Sequence, residues 1–198
     1  MYVTQGLRRA AQIKPNGTAT IYRNRRHTWR ETEDRVARLA AGLLKLGLPS
    51  GGRAAILALN SDRYFEYLLA VPNAGCVVVP INIRLAAPEI AYILEDSGAE
   101  VLFIDDRFVP LVDALKGKIE TLREIVFLGD GVPPACMCAY EDLISTPRIA
   151  DAIGANDDLA GTFYTGGTTG KAKGVMLSHR NLATNAANVR AVDRQPSW

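Results

Sequence analysis

Hydrophobic and polar positions alternate between two periods along this chain, and the alternation predicts its elements. Residues 4–13 read as a helix that stops before the turn signal Pro15-Asn16-Gly17. Thr18-Ala19-Thr20-Ile21-Tyr22 reads as a strand, and Ile21 to Trp29 as a short hairpin. Thr28 stands three positions before Glu31, the spacing at which two side chains satisfy the free N–H groups of a helix start. The helix that follows should bury Val36, Leu39, Ala40, Leu43 and Leu44 at the 3.6-residue period, and end at Gly47 and Pro49-Ser50-Gly51-Gly52.

The next stretches are continuous apolar runs. Ala54 to Leu59 suits a strand buried on both faces, as in a parallel sheet. Asn60-Ser61-Asp62 opens a helix with Tyr64, Tyr67, Leu68 and Val71 turned inward. Val77-Val78-Val79 is a second buried strand, closed by Pro80, and Pro88 starts a helix running to about Ser97. Val101 to Ile104 is a third strand, residues 109–119 a helix, and Ile125 to Leu128 a fourth strand. Repeated strand–helix–strand order predicts an α/β fold with a largely parallel sheet flanked by helices. In such sheets ligands sit beyond the carboxyl ends of the strands. Residues 129–158, with Gly129, Gly131, Pro133-Pro134, Pro147 and Gly154, read as loop and short helix. The expected organisation is therefore 1–128 as strand–helix repeats, 129–158 as an irregular connection, and 159–198 as a glycine-rich loop with its following helix.

Composition narrows the classes. With 198 residues, 48% hydrophobic and 22% charged, the chain has enough apolar content for a packed core and is neither disordered nor a disulfide scaffold. Lys and Arg number 23 against 21 Asp and Glu, so a net charge of +2 argues for neither nucleic acid nor an anionic membrane. The first thirty residues hold Arg8, Arg9, Lys14, Arg23, Arg25, Arg26 and Arg30 and no acid. That bias also occurs in organelle transit peptides, but the strand pattern at 18–22 favours a surface helix followed by a basic hairpin. No apolar run approaches the roughly 18 residues of a membrane span. Three cysteines, Cys76, Cys136 and Cys138, suit a reducing, cytoplasmic setting. Cys136 and Cys138 could be joined only by His27 and His179, short of a recognisable four-ligand zinc spacing, so they read as buried or half-buried loop thiols.

The chemistry concentrates in one segment. Leu159 to Tyr164 reads as a strand leading into Thr165-Gly166-Gly167-Thr168-Thr169-Gly170-Lys171-Ala172-Lys173-Gly174, after which Val175-Met176-Leu177 is extended again and Ser178 caps a helix. Glycines let consecutive backbone N–H groups converge, and such a nest binds anions. Thr165, Thr168 and Thr169 add hydroxyls, Lys171 and Lys173 add positive charge, and no acid interrupts them. That donor set is a phosphate cradle, although a flexible hairpin tip would share the composition. The P-loop pattern fails, because Thr165 stands at its first glycine position and Ala172 follows the lysine; the adjacent Gly166 and Gly167 break the dinucleotide fingerprint.

The segment from Tyr164 to Val175, with Ser178-His179-Arg180-Asn181-Leu182 behind it, closely resembles the signature loop of the adenylate-forming enzymes, a superfamily that includes the acyl-CoA synthetases. The usual form is Y-T-S-G-T-T-G-x-P-K-G-V; Gly166 replaces the serine and Ala172 the proline. Asn73 to Leu85, Pro88-Glu89-Ile90, Tyr92 to Ala99 and Thr28 to Thr32 resemble further family motifs, so the likeness covers nearly the whole chain.

The resemblance implies an ATP-dependent carboxylic acid–CoA ligase, of fatty or other acids, that forms an acyl-adenylate and then a thioester. It implies that Thr165, Gly166, Gly167, Thr168, Thr169 and Gly170 wrap the β- and γ-phosphates of ATP. Lys171 and Lys173 would supply charge, and Thr165 a hydroxyl linked to Mg²⁺. Coenzyme A would be the thiol acceptor. The family's Tyr-Gly-x-Thr-Glu motif, its ribose-binding aspartate and its C-terminal lid with the catalytic lysine do not occur here, so no complete catalytic set is expected. The expectation is an N-terminal portion of a synthetase, inactive by itself and self-associating through an unpaired sheet edge. The alternative is a short nucleotide-binding or interaction module without ligase activity.

Overall fold

The computed structural model describes residues 2–115, 119–166 and 170–192. An N-terminal helix α1 (Gln5–Ile13) leads into the hairpin β1 (Thr18–Tyr22) and β2 (Arg25–Thr28), which forms a two-stranded sheet of its own. Helix α2 (Trp29–Lys45) starts on the expected capping box. Thr28 Oγ1 accepts from the Glu31 N–H at 3.3 Å while the Thr28 N–H donates to Glu31 Oε2 at 2.7 Å.

The main sheet is then built from β3 (Arg53–Leu57), α3 (Asp62–Asn73), β4 (Val77–Pro80), α4 (Ala87–Ser97), β5 (Ala99–Ile104), α5 (Val112–Leu115) and β6 (Glu124–Phe127). The chain continues through β7 (Cys138–Ala139), α6 (Tyr140–Ile144), β8 (Leu159–Thr165), β9 (Lys173–Ser178) and α7 (His179–Val192). The strand order is β7-β6-β5-β3-β4-β8-β9, and every neighbouring pair is parallel except the antiparallel hairpin β8–β9.

Alternate residues of the central strands feed two separate cores. Ala54, Ile56, Val78, Val101, Phe103 and Val126 pack under Val36, Leu39, Leu43, Tyr67 and Val71 of α2 and α3. Ala55, Leu57, Val79, Leu102 and Ile104 pack under Ile90, Ile93 and Leu94 of α4 with Val112 and Leu115 of α5. Strand β3 is thus buried on both faces, as its continuous apolar run predicts. A buried leucine such as Leu39 or Leu43 contributes about 1.5–3 kcal/mol through its removal from water. Among the described residues no helix is long and apolar enough to cross a membrane.

Several sequence expectations are corrected. Leu44 is 43% exposed, because Ala37 and Ala41 complete the buried stripe of α2 instead. Leu59 lies beyond β3 and is 39% exposed. Residues 109–119 do not form one helix: a 3₁₀ turn at Val109–Leu111 leads into the four-residue α5, and residues 116–118 lie outside the described residues. The irregular connection contains the predicted short helix, α6, and also a two-residue strand, β7, at the edge of the sheet. Cys136 is exposed; Cys138 is half-buried, with its Sγ 3.6 Å from Glu124 Oε2.

The largest departure concerns α3. Periodicity assigns its inner face to aromatic and aliphatic residues, yet Arg63 and Glu66 are 6% and 1% exposed. Their partners come from distant parts of the chain. Arg35 Nε donates to Glu66 Oε1 at 2.7 Å, and Tyr140 Oη donates to Glu66 Oε2 at 2.6 Å. Arg63 donates to the carbonyls of Leu128 at 2.6 Å and Gly129 at 2.9 Å, and to Glu141 at 3.1 Å. Burial penalises the charge on Glu141, but Arg35 and Arg63 outweigh it and hold the carboxyl below the usual carboxylate range. This network ties α2, α3 and α6 to the end of β6.

Candidate functional site

Two candidate ligand sites stand out among the described residues. The first lies at the carboxyl ends of β3, β5 and β6, between the points where the chain leaves β3 for one side of the sheet and β5 for the other. It is a crevice of about 120 Å³ lined by Leu59, Asp105, Asp106, Arg107, Gly129 and Asp130, with Arg23 and Arg25 of the β1–β2 hairpin closing over it. Its charges are largely spent on each other. Arg25 binds Asp62 through Nε and Nη2 at 2.7 and 2.9 Å and also pairs with Asp130. Asp105 accepts from the backbone N–H groups of Leu59 and Arg107 at 2.7 and 3.0 Å. Burial opposes the charge on Asp62, but Arg25 more than compensates and keeps its pKa low. The hairpin therefore seals this end of the sheet.

The second place is the turn between β8 and β9, where sequence reading puts the phosphate-binding residues. The hairpin pairs Tyr164 with Gly174 and Thr165 with Lys173, which brings Thr165 and Lys173 together at the mouth of the turn. Thr165, Gly166, Gly170, Lys171 and Lys173 are all exposed. Gly170 has φ +99°, a left-handed backbone that favours glycine. Gly167, Thr168 and Thr169 lie outside the described residues. A Cβ at Gly166 would meet nothing within 4 Å, so the glycine that replaces the family's serine is not demanded by space. No acid occurs between residues 165 and 174. The exposed part of the turn thus offers a hydroxyl, two ammonium groups and open backbone, a donor set that fits an anion and leaves room for a metal ion bound through it.

The turn is rooted in α4. Tyr164 Oη donates to Asp96 Oδ2 at 2.6 Å, Tyr92 Oη donates to Asp96 Oδ1 at 3.3 Å, and Lys171 Nζ stands 5.2 Å from the centre of the Tyr92 ring. Sequence reading places Tyr92 and Asp96 within a segment that resembles a family motif but assigns them no role. No local pattern could have paired them with the turn, because Asp96 and Tyr164 are 68 positions apart.

The other motif residues are architectural. Ser178 and Asn181 form a reciprocal cap at the start of α7. The Asn181 N–H donates to Ser178 Oγ at 3.2 Å, and the Ser178 N–H and hydroxyl both donate to Asn181 Oδ1 at 2.9 Å. His179 is 3% exposed and stacks on Tyr2 with ring centres 4.1 Å apart, and Arg180 pairs with Asp157 at 2.8 Å. Burial lowers the His179 pKa against the opposing pull of Asp158 and Asp151.

Comparison with known proteins identifies a family for the chain. The family model described as AMP-binding enzyme matches residues 7–197. A long-chain-fatty-acid–CoA ligase of Thermus thermophilus is 38% identical over 169 residues, covering 85% of this chain and 31% of the relative. A feruloyl-CoA synthase of an Amycolatopsis species is 38% identical over 182 residues, covering 91% of this chain and 34% of the relative. The crystal structure of the anthranilate CoA ligase AuaEII in complex with anthranoyl-AMP superposes with a TM-score of 0.89 at 28% identity, over 94% of this chain and 36% of that one. The chain spans about a third of the length of the relatives it matches.

Proposed function

The chain belongs to the AMP-binding enzyme family, and from that premise we propose that it forms the nucleotide-gripping part of an ATP-dependent carboxylic acid–CoA ligase. We read residues 1–198 as part of that ligase's N-terminal domain: 1–128 as its strand–helix body, 129–158 as a connection, 159–198 as the loop and its helix. In this reading Thr165, Gly166, Gly167, Thr168, Thr169 and Gly170 wrap the β- and γ-phosphates of ATP, with Lys171 and Lys173 as the nearby charges. The observation that carries it is the exposed, acid-free β8–β9 turn with Thr165 opposite Lys173 at its mouth.

The reaction needs such a turn. A substrate carboxylate attacks the α-phosphorus, pyrophosphate leaves with the electron pair of the broken P–O bond, and a thiol then displaces AMP from the acyl group. Negative charge rests on phosphate oxygens throughout, and fixed N–H, hydroxyl and ammonium donors stabilise it with little rearrangement. We propose Thr165 as the hydroxyl that would accompany a Mg²⁺ ion, which when bound would neutralise phosphate charge. Fatty acids are the proposed acyl substrates, as for the Thermus thermophilus relative, and coenzyme A the proposed acceptor, as for both relatives. Because the chain spans about a third of those relatives, we expect it to bind nucleotide without supporting acid-dependent ATP–pyrophosphate exchange.

The test is a thermal titration of the 198-residue chain with ATP and with pyrophosphate, wild type against Lys173→Ala. A ligand at a hundred times its Kd stabilises by about 2.7 kcal/mol, easily read as a melting shift. We expect the shift in the wild type and its loss in the variant. Equal shifts in both proteins, or none in the wild type, would overturn the assignment.

A further inference from the structure

The β8–β9 hairpin carries the glycine-rich turn some distance from its own anchorage. Strand β8 meets β4 in a single register pair, Val78 with Gly161, three residues before Tyr164. Toward the turn, the contacts come from α4 instead. Tyr92 and Asp96 lie four positions apart on that helix and so share one face. Asp96 holds the hydroxyl of Tyr164, the residue just before Thr165, and Tyr92 seats the ammonium of Lys171, the residue just after Gly170. The cross-strand neighbour of Tyr164 is glycine, which leaves room for its ring. A Cβ at Gly174 would approach Tyr164 Cζ to 3.1 Å, Tyr164 Cε2 to 3.3 Å and Thr162 Cγ2 to 2.8 Å.

We infer that Asp96 and Tyr92 are positioning residues that fasten the entering and leaving stems of the turn to α4, so that Thr165 and Lys171 are held in place before nucleotide arrives. A stem that is already fastened does not have to be ordered at the moment of binding, and that saving appears as affinity. Tyr164 is suited to the task. Burial first, then the Asp96 carboxylate, push its pKa up, so the hydroxyl keeps the proton it donates. The link between this clasp and ATP affinity rests on the function proposed above; the clasp itself does not.

Amide hydrogen exchange on the nucleotide-free chain tests the clasp directly. Asp96→Ala should speed exchange at residues 164–166 and 170–174 about tenfold, the effect of losing one charge-assisted hydrogen bond. Tyr92→Leu should speed it about threefold, as expected for an exposed cation–π contact, and Tyr92→Phe, which keeps the ring face, should restore exchange close to wild type. The melting temperature should stay near that of the wild type in all three. Unchanged exchange in Asp96→Ala, or acceleration spread evenly over the chain, would overturn the clasp. In parallel, ATP titration should give a weaker Kd for Asp96→Ala than for the wild type, and an equal Kd would overturn the positioning role. Wild-type protein that ignores ATP would sink the function proposed above while the exchange result still decides the clasp.

Discussion

Removing one oxygen atom from Tyr67 should loosen the centre of the sheet. Its hydroxyl donates to the Ala54 carbonyl at 2.5 Å and accepts from the Val79 N–H at 3.0 Å, so it forms a polar link between β3 and β4. Tyr67, Ala54 and Val79 are all fully buried, and water cannot replace the link without opening the core. Tyr67→Phe leaves a carbonyl and an N–H without this partner, each costing about 1–3 kcal/mol, partly recovered if the strands close on each other; a net loss of about 2–4 kcal/mol follows. Register sharpens the argument. Because β3 is apolar on both faces, hydrophobic alternation says little about which of its residues should face which core, and a fixed polar link is what discriminates. The assay is urea denaturation followed by circular dichroism. With a slope of about 2 kcal/mol per molar, the midpoint should fall by about 1–2 M, and the Val79 amide should exchange faster. A midpoint shift below about 0.3 M with an unchanged slope would refute the reasoning, since it would mean a loss of under about 0.6 kcal/mol.

Two further outcomes follow from the same packing. In Gly42→Ala the new methyl would lie 2.7 Å from Leu143 Cβ and 2.9 Å from the Leu143 carbonyl oxygen. The gain of about 1 kcal/mol in helix propensity should lose to an overpacking cost of about 1–3 kcal/mol, and a raised melting temperature would contradict this. His179 makes stability depend on mild acid. Its folded pKa lies below the unfolded one, so the unfolded chain takes up the proton first. The contribution is whole above the unfolded value of about 6.5 and is lost as pH falls below it. Melting curves from pH 7.5 to 5 should therefore fall more steeply for the wild type than for His179→Phe, and parallel curves would argue against it.

What could be read from the chain, and what could not, divides by distance. The apolar runs at 54–59, 77–79, 101–104 and 125–128 identify strands because burial on two faces leaves no room for polar residues. The caps at Thr28 and Ser178 are legible because both partners lie within three residues. The β8–β9 hairpin is legible because both of its strands and the glycine-rich turn between them lie in one short segment. Arg63 and Glu66 defeat the same reasoning, since a helix pattern shows which face a residue occupies and not that Tyr140 waits 74 positions away to satisfy it. Asp96 is hidden for the same reason: an acid on an exposed helix turn carries no local mark of the tyrosine it holds. The two-residue β7 is too short to leave a period at all.

The two ends of the main sheet are unequal, and that gives it a direction of growth. On one flank β7 presents only Cys138 and Ala139, a border of about 7 Å that an approaching strand could scarcely grip. On the other, β9 runs from Lys173 to Ser178, about 20 Å of backbone with Met176 70% exposed and, among the described residues, a strand neighbour on one side alone. A strand added to this sheet would find the longer stretch of edge backbone on the flank that also bears the lysine at the mouth of the turn. A newcomer there would touch the strand whose partner leads into the glycine-rich turn, so the growing flank and the turn would share a single border.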